Sequence, residues 1–382
     1  MTLTVWHLGI LPSGVGPSVS PAVPTALAPP KMRTLVADQF GRILGEIRPN
    51  WKSLAWRLGE IDKATISMSK TDENATEEFL HWGNRILVEF DNGLRNWGGT
   101  IETPTRWSES EIEVSCFGIE YMLQFRITGK TRAFNSAPVG QIFRQLLTES
   151  QYSQDLGLTF GPIWLGGRPH NPRYHFKSLW NIIREDLTGV EGCDVYFWPH
   201  IADGHIKFQA EMYEKLGEDK SARYAFSEGR NITPKEFITQ GTIINHFSAV
   251  GAGMTWGLER NYATASERDS RMAYGLRQSS KVYPSVTIPT TLIRYAETAV
   301  DTDAYPRTRL QLTASNNNPA MFKHYGLGDD LRCVLPSYGF NGYDQSVRVI
   351  AIEFVPAEGV CELVVEEPHA TVIESTGGQE EM

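Results

Sequence analysis

The sequence predicts a mainly β protein with α+β inserts, organised as two related small β-barrels flanking a small α/β domain. Three observations predict it. Apolar and polar residues alternate with period two through most of Thr34–Arg126. The period turns helical from about Ser136. Alternation then returns toward the C-terminus in the same order of elements as at the start. At 382 residues the chain has room for two to four domains. The expected boundaries are an extended Pro-rich arm at 1–33, a first barrel at 34–130 and an α/β domain at 131–225. A second barrel follows at 226–366, with inserted helices at about 252–305, and then a flexible acidic tail at 367–382.

Each element has a local reason. Leu11–Pro30 carries Pro12, Pro17, Pro21, Pro24, Pro29 and Pro30, which remove donors and clash with a preceding helical turn, so it reads as an extended arm. The same prolines interrupt any apolar signal region, and Met1–Ile10 lacks a basic start, so no secretory leader is expected. Thr34–Asp38 and Arg42–Arg48 read as short strands around Gly41. Ala64–Ser69 alternates Ile66 and Met68 against Thr65, Ser67 and Ser69. Arg85–Phe90 closes on the Asp91-Asn92-Gly93 turn, and Gly99–Thr103 and Glu111–Cys116 follow. Pro138–Ser150 puts Val139, Ile142, Phe143, Leu146 and Leu147 on one helical face, with Ser136 as N-cap. Ser178–Leu187 is a second helix, and Asp194–Trp198 with His205–Glu211 form a hairpin around Ala202-Asp203-Gly204. Gly241–Val250 reads as strand, Thr264–Tyr274 as polar helix or loop, and Pro289–Ala304 as a helix with Leu292, Ile293, Ala296 and Val300 inward. Thr308–Thr313, Asp330–Leu335, Ser346–Val355 and Val360–Glu366 are the last strands.

The two β regions align with each other. Trp82–Phe90 lies over Leu327–Leu335 without a gap, each with a Gly, a polar pair and a strand. Upstream, Thr65–Ser69 matches Arg309–Thr313, and Phe79-Leu80 matches Met321-Phe322. Downstream, Glu111-Ile112-Glu113-Val114 falls over Cys361-Glu362-Leu363-Val364. The identities are sparse, so chance likeness of two antiparallel barrels stands beside duplication. Duplication has a mechanical consequence: three such chains in a ring present six similar barrels, so a three-fold object meets a six-fold one with near-equivalent contacts.

Composition and motifs narrow the function. The net charge is −9, whereas duplex nucleic-acid binders are usually basic. No apolar run reaches the ~18–20 residues of a membrane-spanning helix, so no stable membrane insertion is expected. Cys116, Cys193, Cys333 and Cys361 form no C-x-x-C pair and read as reduced, buried thiols, with Cys333 and Cys361 on neighbouring strands. Gly251-Ala252-Gly253-Met254-Thr255-Trp256-Gly257 misses the dinucleotide spacing by one residue and reads as a turn. There is no phosphate-binding loop, nucleophile elbow or H-E-x-x-H. His170 and His175, and His200 and His205, lack a further ligand pair. Glu185-Asp186 is the one acidic pair beside an aromatic helix, where Trp180 is placed to stack a sugar. Adjacent helical residues diverge by about 100°, which is poor geometry for two carboxylates flanking one bond. No catalytic, cofactor-binding or metal site is therefore expected. Most of the ten tryptophans are expected in the core. Trp6 lies in the arm without a local core, so Trp6, Leu8 and Ile10 are expected to anchor on a neighbouring subunit.

Five further segments keep their order along the chain: Phe40-Gly41-Arg42-Ile43, Asn96-Trp97-Gly98-Gly99-Thr100-Ile101, Asn245–Gly253, Ser270–Gly275 and Gly326-Leu327-Gly328-Asp329-Asp330. With the order barrel, α/β insert, barrel, the chain over residues 35–366 resembles the tail-hub, or N-terminal tail-associated, proteins of long-tailed bacteriophages. The resemblance implies a non-enzymatic homotrimer at the virion tail tip, assembled in the host bacterial cytoplasm. It implies a ring below the distal tail protein ring that adapts six-fold to three-fold symmetry. The implied partners are tail fibre or central spike proteins and the tape-measure protein, with transient passage of genomic DNA and no cofactor. Many relatives continue into a fibre or lytic domain. This sequence ends at Met382, so receptor binding or wall cleavage is expected in a separate protein. The acidic balance suits a lumen through which DNA slides. The alternatives are a cell-wall hydrolase component of the tail and a module that binds host-surface carbohydrate.

Overall fold

The computed structural model describes residues 30–379, apart from 92–94, 130, 168, 241, 253–260, 285, 287, 317, 339–340 and 368–372. The first β unit comprises β1 (Met32–Ala37), β2 (Ile43–Ile47), β3 (Asn50–Arg57), β4 (Lys63–Ser69), β5 (Arg85–Phe90), β6 (Trp97–Trp107) and β7 (Glu111–Phe117). Hydrogen bonding orders them β2-β1-β5-β6-β7-β4-β3, all antiparallel. Ile66, Met68, Ile86, Val88, Ile112 and Val114 point into its core with Trp51, Trp56 and Trp97. Trp51 Nε1–H reaches Thr34 Oγ1 at 3.0 Å and Trp97 Nε1–H reaches the Ala55 carbonyl at 3.1 Å, so both indoles are buried with their donors satisfied.

The α/β insert follows: α1 (Ile119–Gln124), β8 (Arg132–Ala133), α2 (Val139–Ser150), β9 (Leu158–Ile163), β10 (Arg173–Tyr174) and α3 (Leu179–Asn181). A π-helical turn at Ile182–Thr188 runs into α4 (Gly189–Glu191), and the hairpin β11 (Asp194–Ala202) and β12 (His205–Tyr213) closes the unit. The predicted inward face of α2 is buried. Its N-cap position is Pro138 rather than Ser136, which adopts φ +47°. The second predicted helix widens into π-helix instead of holding α geometry. Leu35, Ala37 and Leu87 join this unit's core while their neighbours Val36, Ile86 and Val88 join the first unit's core. β1 and β5 are thus covered on both faces.

The second β unit begins with β13 (Ala225–Ser227) and β14 (Ile232–Gln240). A further four-stranded layer comes from β15 (His246–Val250), β16 (Asn261–Glu267) and β17 (Gln278–Val282), with α5 (Arg268–Tyr274) and α6 (Pro289–Asp303). Leu292, Ala296 and Val300 of α6 seal this layer against Ala249, Ala263 and Ala265. The chain then returns through β18 (Arg307–Ser315), β19 (Asp330–Leu335), β20 (Tyr343–Val355) and β21 (Val360–Glu366). Their order is β13-β19-β20-β21-β18-β14, which from β19 onward repeats β5-β6-β7-β4-β3 of the first unit. β13 takes the place of β1 but runs parallel to β19, and among the described residues no strand corresponds to β2. The segment expected to be a flexible tail contributes β22 (Ile373–Gln379), paired with β16 as the edge of the four-stranded layer.

The structure is mainly β as expected, but the two expected small β-barrels need correction. The described strands of the two units form one 13-stranded sheet without a closed barrel. β20 is the cause: its 13 residues outrun β19. Its first half pairs β19, and its second half turns the same edge toward β3 of the first unit. β3 therefore meets the other unit instead of closing on β2.

Candidate assembly interface

The repeat is written in hydrogen bonds. Gly83 and Gly328 are equivalent, with φ +83° and +82°. Gly83 N–H donates to the Ile101 carbonyl (2.9 Å) and Ile101 N–H returns to Asn84 (2.8 Å). Gly328 N–H donates to Val349 (2.8 Å) and Val349 N–H returns to Asp329 (3.0 Å). Beyond Ile101 and Val349 both strands bulge. β3 and β14 bulge too, at Lys52 and Lys235. These two lysines reach equivalent carboxylates: Lys52 Nζ to Glu113 at 2.5 Å and Lys235 Nζ to Glu362 at 2.7 Å.

This register corrects the sequence alignment. Ile66 pairs with Trp51 and Val114, and Leu312 pairs with Pro234 and Leu363, so Ile66 matches Leu312 and Val114 matches Leu363. The Thr65–Ser69 match shifts by two residues, which preserves the face. The Glu111–Val114 match shifts by one, to Val360–Leu363, and a one-residue slip would have turned buried Ile112 onto Glu362.

The units meet where Ala351, Ile352, Glu353 and Phe354 of β20 pair antiparallel with Arg57, Trp56, Ala55 and Leu54 of β3. Leu58 N–H extends the ladder to the Ile350 carbonyl at 2.9 Å. Ile352, Phe354, Leu54 and Trp56 are fully covered here.

The insert is pinned to both units. Buried Arg85 donates to the carbonyls of Ile206 (2.8 Å) and Gln39 (3.2 Å). At the equivalent position Asp330 accepts from Lys215 Nζ (2.5 Å), and neighbouring Asp329 accepts from Lys220 Nζ (2.7 Å). Arg348 pairs with Asp194 and donates to the Leu216 carbonyl (3.0 Å). Between the first unit and the insert, Asp62 accepts Arg57 N–H (2.7 Å) and the Tyr196 hydroxyl. Burial raises the Asp62 carboxyl to about 7 against these stabilising bonds, and burial with the nearby Asp62 charge raises Glu120 well above the carboxylate range.

The expected chemical candidates fall elsewhere. Glu185 and Asp186 share Lys177 at 3.7 and 2.7 Å, and Trp180 is buried, which removes it as a sugar-stacking face. His170 Nε2 and Glu191 form a buried pair at 2.7 Å. Among the described residues, no cluster of three or more His, Cys, Asp or Glu side chains is arranged for a metal. All four cysteines are buried and free. Cys333 and Cys361 lie on β19 and β21 with β20 between them, not on neighbouring strands. Trp6, Leu8 and Ile10 lie outside the described residues, as does most of the Gly251–Gly257 turn. The exposed tryptophans that the sequence reading missed are Trp82 (59% exposed) and Trp107 (68%). With Leu80, Thr105 and Ile112 they line a cleft of about 730 Å³ beside the free half of β6. The repeat aligns Trp82 with buried Leu327 in sequence, whereas the match of Trp107 to Phe354 emerges only from the strand register.

Comparison of the whole structure places this architecture. It superposes on prophage tail protein gp18 from Listeria monocytogenes EGD-e over 88% of this chain and 95% of that one, with a TM-score of 0.55 and 14% identity. The chain has the fold of a phage tail protein. The 43 kDa tail protein of prophage MuSo2 from Shewanella oneidensis matches over 87% of this chain and 98% of its own, with a TM-score of 0.57 and 14% identity. The Escherichia coli c3393 protein matches over 85% and 74%, with a TM-score of 0.51 and 11% identity. It is described as a type VI secretion system component similar in structure to T4 bacteriophage tail proteins gp27 and gp5. No protein-family model matches the sequence, and no curated protein matches it.

Proposed function

We propose that the protein is a structural hub of a phage tail tip, a homotrimer forming a ring that adapts six-fold to three-fold symmetry. The observation that carries this reading is the duplicated β unit, with its shared strand order and matched bulges and lysine–glutamate pairs. Three chains then supply six near-equivalent units. The tail-protein fold and the use of the buried polar groups in packing support a non-enzymatic role. The ring sits below the distal tail protein ring, contacts the tape-measure protein, carries fibre or spike proteins, and passes DNA through an acidic lumen during ejection. Trp6, Leu8 and Ile10 add an arm contact to the neighbouring subunit. Light scattering on the purified full chain tests the reading. The expected mass is three times 42.9 kDa. A chain that remains monomeric at every concentration overturns it.

A further inference from the structure

The junction between the two units uses one edge from each, which leaves the equivalent edges unused. β20 matches β6 and β3 matches β14, so the counterpart of the β20–β3 ladder would join β6 to β14. Among the described residues it does not form within one chain: β14 pairs β18, and β6 pairs β5 and β7. Among the described residues, β14 pairs on one side only, with β18. β6 pairs β5 only through Thr100, which leaves the same edge open from residue 103 onward. Residues exposed beside this edge have buried counterparts in the second unit, Phe354 among them at the internal junction. Trp107 is 68% exposed where Phe354 is 0%, and Trp82 is 59% exposed where Leu327 is 5%. A half-ladder with an apolar patch is an incomplete interface whose other half the same chain carries at its far end.

We propose that β14 of a second copy pairs antiparallel with β6, extending the internal junction head to tail. The inference rests on the ring reading and names its contact. Carrying the β20–β3 register across the repeat sets Trp107 opposite Phe237, Arg106 opposite Ile238, Thr105 opposite Thr239 and Pro104 opposite Gln240. The hydrogen bond from Leu58 N–H to Ile350 fixes which residues aim their polar groups across the junction, because bonded pairs recur at every second position. By that parity Thr105 and Trp107 face the incoming strand. Pro104, which has no N–H, falls at a position that needs none.

Cysteine cross-linking tests it. Arg106 and Ile238 form a non-hydrogen-bonded pair in this register, with Cα atoms about 4.5 Å apart, within disulfide range. The chain carrying both Arg106→Cys and Ile238→Cys, oxidised at native pH, is expected to run on non-reducing gels as covalent dimers and trimers. Each single variant is expected to run as a monomer. Trp107→Glu, at an exposed position that leaves the subunit core intact, is expected to reduce the light-scattering mass to one chain. A wild-type trimer whose double-cysteine variant does not cross-link overturns this contact and leaves the ring reading standing. A trimeric Trp107→Glu does the same. A monomeric wild-type chain overturns both.

Discussion

The buried acid at the seam between the first β unit and the insert should make stability fall as pH rises. Asp62 is 4% exposed and Glu120 3% exposed, and both side chains crowd Gly118, where an added Cβ would lie 2.1 Å from Glu120 Oε2 and 2.9 Å from Asp62 Cβ. With the Asp62 carboxyl near 7 instead of the ordinary 3.8, the folded chain keeps a proton that the unfolded chain releases. The stabilisation is therefore complete below about pH 4 and is lost as pH climbs through about 7. A rise of about three units corresponds to roughly 4 kcal/mol. Asp62→Asn cannot ionise, and its side-chain oxygen still accepts Arg57 N–H. Urea unfolding followed by tryptophan fluorescence from pH 4 to 8 should show the variant gaining about 4 kcal/mol on the wild type across that range. Taking the difference cancels carboxylates that do not interact with Asp62. Removing the Asp62 charge also eases the burden on Glu120, which moves the difference in the same direction. A variant-minus-wild-type difference that stays constant with pH, or that moves in favour of the wild type, refutes the reasoning.

Two other substitutions probe the packing. Gly328→Ala forces a side chain at φ +82° whose Cβ would lie 2.1 Å from the Leu216 carbonyl oxygen, whereas Gly192→Ala, at φ +68°, meets nothing within 4 Å. Denaturant titration should show the first costing about 3 kcal/mol or more and the second about 1 kcal/mol. Arg348→Ala leaves Asp194 and the Leu216 carbonyl without their guanidinium, and the same titration should show a loss of about 2–3 kcal/mol. The cysteines give a chemical readout. Burial lifts the Cys193, Cys333 and Cys361 thiols to about 12, so a thiol-reactive disulfide reagent at pH 8 should label them only after unfolding.

The sequence was legible where a strand has one dry and one wet face, or ends on a turn signal. The bounds of β19 and β21 match their expected limits, and β5 was found with its glycine and polar pair in place. It was illegible at β3 and β14, neither of which stood out as a strand. These are counterparts and failed for one reason: the bulges at Lys52 and Lys235 break the period of two. β3 is obscured further because Leu54, Ala55 and Trp56 are all buried in the ladder with β20 of the other unit. The internal junction uses β3 and the proposed contact between copies uses β14 with the second half of β6, so the strands that carry the functional proposal were those with the weakest pattern. The repeat was visible, but with its registers slipped by one and two residues, since side-chain identity alone does not reveal where a bulge absorbs a position.

The β20–β3 junction also bears on how a ring would come together. It lies within one chain, so it forms with folding and does not depend on protein concentration. A six-unit ring made from single-unit subunits requires six chains to be captured, and each capture costs about 4–15 kcal/mol of translational and rotational freedom. Fusing units in pairs halves the number of chains. It also fixes the alternation of unlike units around the ring, because the insert-bearing first unit is always followed by the second. Any feature unique to one unit then recurs three times and cannot be placed out of sequence.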